Sequence, residues 1–230
     1  MTRRTALVVG ATKGLGLALA QTYLANGWAV IATTITPSVE LDALGVRHPD
    51  CLDIRMLDVT DVAAVTALRD DLANRRIDAL HIVAGIFQAS FAPIWEQSDN
   101  EILRVLGTNA IAGIRIAELL GDLVPPGGVF AFTSSGMGSM ARNNKGDVDL
   151  YRISKASLNM LVRSFGARHA GSGRAVLLLC PGWARTDMGG PDATVEVSTS
   201  VEGMYALVAQ ADVDADEARF YEYSGDVVPW

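Results

Sequence analysis

The chain has 230 residues, half of them hydrophobic, and a formal net charge of −7. That size and apolar content suit one domain with a substantial core. The acidic balance and the scattered arginines exclude the basic stripe of a nucleic-acid binder. The absence of a signal-like leader or a membrane-length apolar run gives the expectation of a cytoplasmic protein with no membrane partner.

In chain order, a short apolar run at 5–9 predicts a first buried strand. The turn Gly10-Ala11-Thr12-Lys13-Gly14-Leu15-Gly16 leads into an amphipathic stretch over 15–26, read as a helix that Asn26-Gly27 ends. Strands are predicted at 29–33 and 54–57, and Thr60-Asp61 caps a helix over 61–74. A strand at 79–84 is followed by a long helix over 99–120, opened by Ser98-Asp99-Asn100-Glu101. Pro125-Pro126-Gly127-Gly128 is a hard stop before a strand at 129–133. A helix over 150–170, a strand at 175–180 and a helix over 198–210 complete the series. Alternating strands and helices with right-handed crossovers imply an α/β fold: a single-domain Rossmann-type doubly wound parallel sheet flanked by helices, spanning 1–230. Two stretches, 134–149 and 181–197, lack periodicity; segments of that kind are functional loops, and the second is the expected substrate loop.

Cys51 and Cys180 match no metal or redox spacing, and His48, His81 and His169 show no ligand spacing, so no metal site is expected. Cys180 reads as a buried thiol. Tyr151 and Lys155 stand four residues apart and share one helix face. In a chain with five tyrosines and three lysines, such a pair arises by chance only about 0.07 times, so it carries weight. An ammonium beside a phenol lowers the phenol pKa toward working pH, as a general acid–base for a carbonyl oxygen requires. The plain alternative is a solvated helix pair.

Gly10, Gly14 and Gly16 follow a strand and open a helix, where backbone N–H groups can meet a pyrophosphate; an ordinary turn is the alternative. A phosphate-binding loop ending in Gly-Lys-Ser/Thr is excluded. At the end of the second strand a carboxylate would bind a ribose 2′-hydroxyl and repel a 2′-phosphate. That position is Thr34, with no acid near, while Lys13 offers a positive charge or is simply a surface lysine. Ser134, Ser135 and Ser139 follow the strand at 129–133, where a hydroxyl can donate to a developing oxyanion. Asn109 needs a reason to sit mid-helix between Leu106 and Ile111. Trp183 and Met188 suit an adaptable apolar pocket, or pack their loop onto the body.

The Gly-x-x-x-Gly-x-Gly spacing together with the Tyr–Lys pair resembles the short-chain dehydrogenase/reductase family over essentially the whole chain. The resemblance implies an NAD(P)-dependent oxidoreductase for a carbonyl or alcohol, with NADP(H) preferred and NAD(H) possible. It implies that the glycine loop, with Thr12 and Leu15, holds the cofactor, and that the Asp58 side chain and Val59 backbone contact adenine. A turn at a strand end is an equal reading of Asp58. The resemblance points to Ser135 as the oxyanion donor, sixteen residues before Tyr151, with an insertion near 143–147. Tyr151 is the implied acid–base, Lys155 the residue that tunes it and bonds the nicotinamide ribose, and Asn109 the holder of a relay water. Pro181, Gly182, Ala184 and Thr186 are placed at the nicotinamide, Trp183 and Met188 beside the substrate. Ala84-Gly85 keeps the cofactor approach, but Ile82-Val83 replaces the family's Asn pair, which weakens the expected support of the central sheet. The run from Trp183 to Gly190 and the Gly225–Trp230 ending are similar to the C-factor and sniffer-like carbonyl reductases. A homodimer is expected from family analogy and base rates. The competing reading is a dinucleotide-binding regulatory or signalling protein with little turnover.

Overall fold

The computed structural model describes residues 3–87 and 92–230. Among these, seven strands form one sheet: β1 Thr5–Val9, β2 Ala29–Thr34, β3 Leu52–Met56, β4 Ala79–Ile82, β5 Val129–Thr133, β6 Ala175–Cys180 and β7 Arg219–Glu222. Their order is β3-β2-β1-β4-β5-β6-β7, and every neighbouring pair is parallel. The order reverses between β1 and β4, which opens a crevice beyond their carboxyl ends. The helices are α1 Gly14–Ala25, α2 Val39–Arg47, α3 Val62–Asp71, α4 Asp99–Leu106, α5 Ala112–Leu119, α6 Asp149–Arg168 and α7 Val197–Ala209.

Successive residues of a strand point to opposite faces, so a strand covered on both sides must be apolar throughout. Leu7, Val9, Phe130 and Phe132 face one core with Val162 and Phe165 of α6. Ala6, Val8, Ala79 and Ala131 face the other with Leu19 and Tyr23 of α1 and Met204 of α7. The second face is rich in alanine, which lets α1 and α7 lie close to the sheet.

Two elements escape the sequence pattern. In α2 only Leu41 and Leu44 are buried, while Val39 and Val46 face solvent, so the helical period is masked. The helix forms because Ser38 caps it, its Oγ accepting from the Leu41 N–H at 3.3 Å. The edge strand β7 is four residues long and buries only Phe220. The expected long helix over 99–120 is interrupted by a π turn, Gly107–Ile111, which joins α4 to α5. A π turn inside a helix often marks a functional position, and here it buries Asn109.

The sheet centre has a substitute for the absent Asn pair. His81 is fully buried in β4, its Nδ1 3.3 Å from the Tyr23 hydroxyl and its Nε2 3.4 Å from Thr133 Oγ1. A neutral imidazole has one donor and one acceptor, and a hydroxyl can serve either. The ring thus ties α1, β4 and β5 together. No described helix is long and apolar enough to cross a membrane, and no described cluster of His, Cys, Asp and Glu could hold a metal ion.

Burial holds the His81 pKa down to about 3, from 6.5. Unfolding therefore takes up a proton below about pH 6.5, so stability is full above that pH and falls as the pH drops, by about 1.4 kcal/mol per pH unit from this group. Urea unfolding between neutral and mildly acidic pH should show that slope in the wild type and lose about 1 kcal/mol per unit of it in His81→Gln.

Candidate active site

The crevice beyond β1, β4 and β2 encloses about 940 Å³. The glycine loop forms its floor, with Gly10, Thr12, Lys13, Gly14, Leu15 and Gly16 all in the wall. Two of these glycines are dictated by space. Gly10 has φ +95°, and a Cβ there would lie 2.7 Å from the Ala84 nitrogen. A Cβ on Gly16 would lie 2.0 Å from the Gly10 carbonyl oxygen. No side chain caps α1 and no acid occupies its first turn, so its N-terminus is open to an anion.

At the far end of the crevice the wall includes Val59, Leu57 and the 35–40 segment. Thr34 stands behind it, its Oγ1 2.9 Å from Thr12 Oγ1 and donating to the Thr36 carbonyl. No carboxylate ends β2, but an acid is nearer than the sequence suggests: α2 brings Glu40 into the wall. Lys13 does not stand free there, because its Nζ meets Asp187 Oδ2 at 2.7 Å across the crevice. Asp58 is outside the wall. Its Oδ1 accepts from the N–H and hydroxyl of Thr60 at 2.8 and 2.7 Å, and these bonds hold its carboxyl below the usual range.

At the near end, α6 presents Tyr151 and Lys155 to the crevice beside Ala84 and Gly85. The helix begins under constraint: Val148 has φ +53°, a left-handed conformation that costs a β-branched residue energy. Arg152 holds that turn, its Nε donating to the Asp147 carbonyl at 2.7 Å and its Nη2 to Asp147 Oδ1 at 2.5 Å. Lys155 is buried and donates from Nζ to the Thr133 carbonyl at 3.0 Å. Its Nζ lies 5.9 Å from the Tyr151 ring centre. Phe87 packs edge-on against that ring, with centres 5.0 Å apart.

Burial acts against the depression of the tyrosine pKa that the lysine would bring. Burial pushes Tyr151 up to about 12, opposed only in part by Ser135 beside it. Burial likewise pulls Lys155 down to about 8. Desolvation disfavours the charged form of both groups and is the largest influence on each.

The three serines separate by partner. Ser135 stands close enough to Tyr151 to favour its ionised form, and its Oγ accepts from the Met137 N–H at 3.1 Å. Ser134 borders the crevice, but its Oγ donates to Asn159 Oδ1 at 2.5 Å. Ser139 donates to the Pro229 carbonyl at 2.5 Å. Asn109 is held by Ile86, accepting from its N–H and donating to its carbonyl, both at 2.8 Å, and it also donates to Ser154 Oγ at 3.0 Å. The missing side chain of Gly85 leaves a point 3.4 Å from Asn109 Oδ1 and 3.6 Å from Lys155 Nζ, room for a small bridging group between them.

Beyond β6, Pro181, Thr186 and Met188 border the crevice, while Gly182, Ala184 and Trp183 lie behind or beside it. The loop is not loose. The Arg185 N–H donates to the Val195 carbonyl at 2.9 Å and the Val195 N–H to the Trp183 carbonyl at 3.0 Å. The Trp183 indole donates to the Gly189 carbonyl at 2.8 Å. Phe87, Arg152 and Asn159 were not singled out from the sequence, and of the three only Asn159 had a readable signal: it lies eight residues after Tyr151, on the same helix face.

Known proteins match this arrangement. The sequence model of the short chain dehydrogenase family matches residues 4–196. C-signal of Myxococcus xanthus is 38% identical over 132 residues, which is 56% of this chain and 79% of that protein. A short-chain dehydrogenase/reductase from Burkholderia multivorans, solved with bound NADP, is 39% identical with a TM-score of 0.95, covering 100% of both chains. Carbonyl reductase Sniffer of Drosophila melanogaster is 25% identical with a TM-score of 0.91, again covering 100% of both.

Lys155 should titrate far below the ordinary lysine value. Nitrogen-15 NMR of lysine-labelled protein should find one Nζ titrating near pH 8, from burial, and Lys155→Met should remove it. Three lysines titrating together above pH 10 would contradict the buried geometry.

Proposed function

The chain belongs to the short-chain dehydrogenase family, close to the C-factor and Sniffer-like carbonyl reductases, and on that premise we propose that it is an NADP(H)-dependent reductase of a carbonyl compound, running in reverse on the alcohol. The observation that carries this reading is that Tyr151 and Lys155 line the same crevice as the glycine loop, with Ser135 beside Tyr151.

The crevice fits a dinucleotide. Its volume, the uncapped N-terminus of α1 and the side-chain-free surface at Gly14 and Gly85 suit a long ligand with a pyrophosphate. Gly10 to Gly16 would hold the phosphates, Val59 and the turn at Asp58 the adenine, and Pro181 to Thr186 the nicotinamide. When bound, the cofactor supplies or accepts the hydride. Tyr151 holds the proton at its hydroxyl and passes it to the carbonyl oxygen. Ser135 donates to that oxygen and orients it. Lys155, charged below about pH 8, favours the phenolate that remains. Asn109 and Lys155 flank the space at Gly85, where a water would carry protons onward. Met188 borders the substrate end, with Trp183 beside it.

The preference for NADP(H) rests on Thr34 in place of a carboxylate, on Lys13, and on the NADP bound by the Burkholderia relative. Glu40 leaves room for NAD(H). A homodimer is proposed through the α4–α5–α6 surface, where Leu103, Ile111, Ile153 and Met160 are exposed. Similarity to C-signal keeps a signalling role with little turnover as the second reading.

NADPH oxidation against a panel of aldehydes, ketones and quinones should show turnover that Tyr151→Phe lowers by about a thousandfold while NADPH affinity stays within about twofold. Saturable NADPH binding with no carbonyl-dependent oxidation would favour the signalling reading. Lys13→Ala should raise the NADPH KM by about tenfold and the NADH KM by far less. Light scattering should give a dimer that Leu103→Glu with Met160→Glu dissociates.

A further inference from the structure

We propose that Asn159 is a positioning residue that holds the Ser135 loop against Tyr151, an inference that rests on the reductase reading above. Tyr151, Lys155 and Asn159 are spaced at i, i+4 and i+8, so they form one stripe on the inner face of α6. Asn159 is 4% exposed. A buried amide must have its polar atoms satisfied, and both ends of this one go to the same loop. Oδ1 accepts from Ser134 Oγ at 2.5 Å, and Nδ2 donates to the Gly138 carbonyl at 3.1 Å.

Those two anchors lie on either side of Ser135, one residue before it and three after. Between them the Gly136 N–H donates to Cys180 Sγ at 3.1 Å, which fixes the loop to the end of β6. The loop also lies flat on the helix. A Cβ at Gly138 would come within 2.8 Å of the Lys155 carbonyl carbon, so only glycine permits that contact. Ser135 is therefore referenced to the same helix that carries Tyr151 and Lys155, through a side chain of that helix. The arrangement divides the serine pair: the Ser134 hydroxyl is spent on Asn159, while the Ser135 hydroxyl makes no bond to α6 beyond its proximity to Tyr151.

The test is a comparison in two backgrounds, with carbonyl-dependent NADPH oxidation and NADPH affinity read together. Asn159→Ala should lower kcat by about tenfold with NADPH affinity within about twofold. In a Ser135→Ala background the same change should cost less than about twofold, because the residue it positions is gone. Equal losses in both backgrounds, or a matching loss of NADPH affinity, would overturn the proposal. If Asn159→Ala does not fold, Ser134→Ala removes one anchor and should show the same dependence on Ser135. If the wild type has no Tyr151-dependent turnover, the reductase reading fails. The positioning is then read by carbon-13 NMR of ring-labelled tyrosine, with Tyr151 assigned through Tyr151→Phe. Its resonance should move in Asn159→Ala as it does in Ser135→Ala, and an unmoved resonance would overturn the positioning role.

Discussion

The site depends on keeping one amine inside the protein. Lys155 is buried, no carboxylate among the described residues pairs with it, and its bond goes to a backbone carbonyl at the end of β5. A buried ammonium without a counter-ion is costly unless its surroundings supply dipoles. The carbonyl of Thr133 is one such dipole, and its direction is fixed by the parallel pairing of β5 with β4 and β6. The sheet register is thus the first requirement of the chemistry. A one-residue slip would turn that carbonyl away and move Phe130 and Phe132 to the wrong core.

The sheet is held at this point by side chains that differ from the family pattern. His81 bridges Tyr23 of α1 and Thr133 of β5, so the residue that accepts from Lys155 is itself braced from the other face of the sheet. On the near face, α6 supplies the remaining constraints. Arg152 fixes its start, Lys155 meets β5, and Asn159 meets the loop that follows β5. One helix therefore places Tyr151, Lys155 and, through Asn159, the loop that carries Ser135. Such preorganisation is what electrostatic catalysis requires.

Much of this could be read from the chain because the relevant signals are local. A strand, a glycine turn and a helix are contiguous over 5–25, and Tyr151 and Lys155 share a helix turn. The strands with unbroken apolar runs were equally plain. What could not be read depends on distant partners. Only Leu41 and Leu44 of α2 reach the core, and only Phe220 of β7, so neither segment carries a period. Three serines within six residues are alike in sequence, and their partners Asn159 and Pro229 lie 25 and 90 residues away. Burial of Tyr151 was illegible for a similar reason: the neighbouring lysine is visible in the sequence, whereas the desolvation of the phenol comes from packing. The loss of the Asn pair at Ile82-Val83 was legible, but the bracing by His81 one position earlier was not, because its partners Tyr23 and Thr133 belong to α1 and β5.

The contact between Lys13 and Asp187 joins the two loops that face each other across the crevice. Both side chains are largely exposed, 71% and 79%, so the pair adds little to the stability of the fold. Because the attraction between two exposed charges is screened over about 8 Å at physiological ionic strength, this tie between the loops slackens as salt rises, while the apolar packing beneath them does not depend on it.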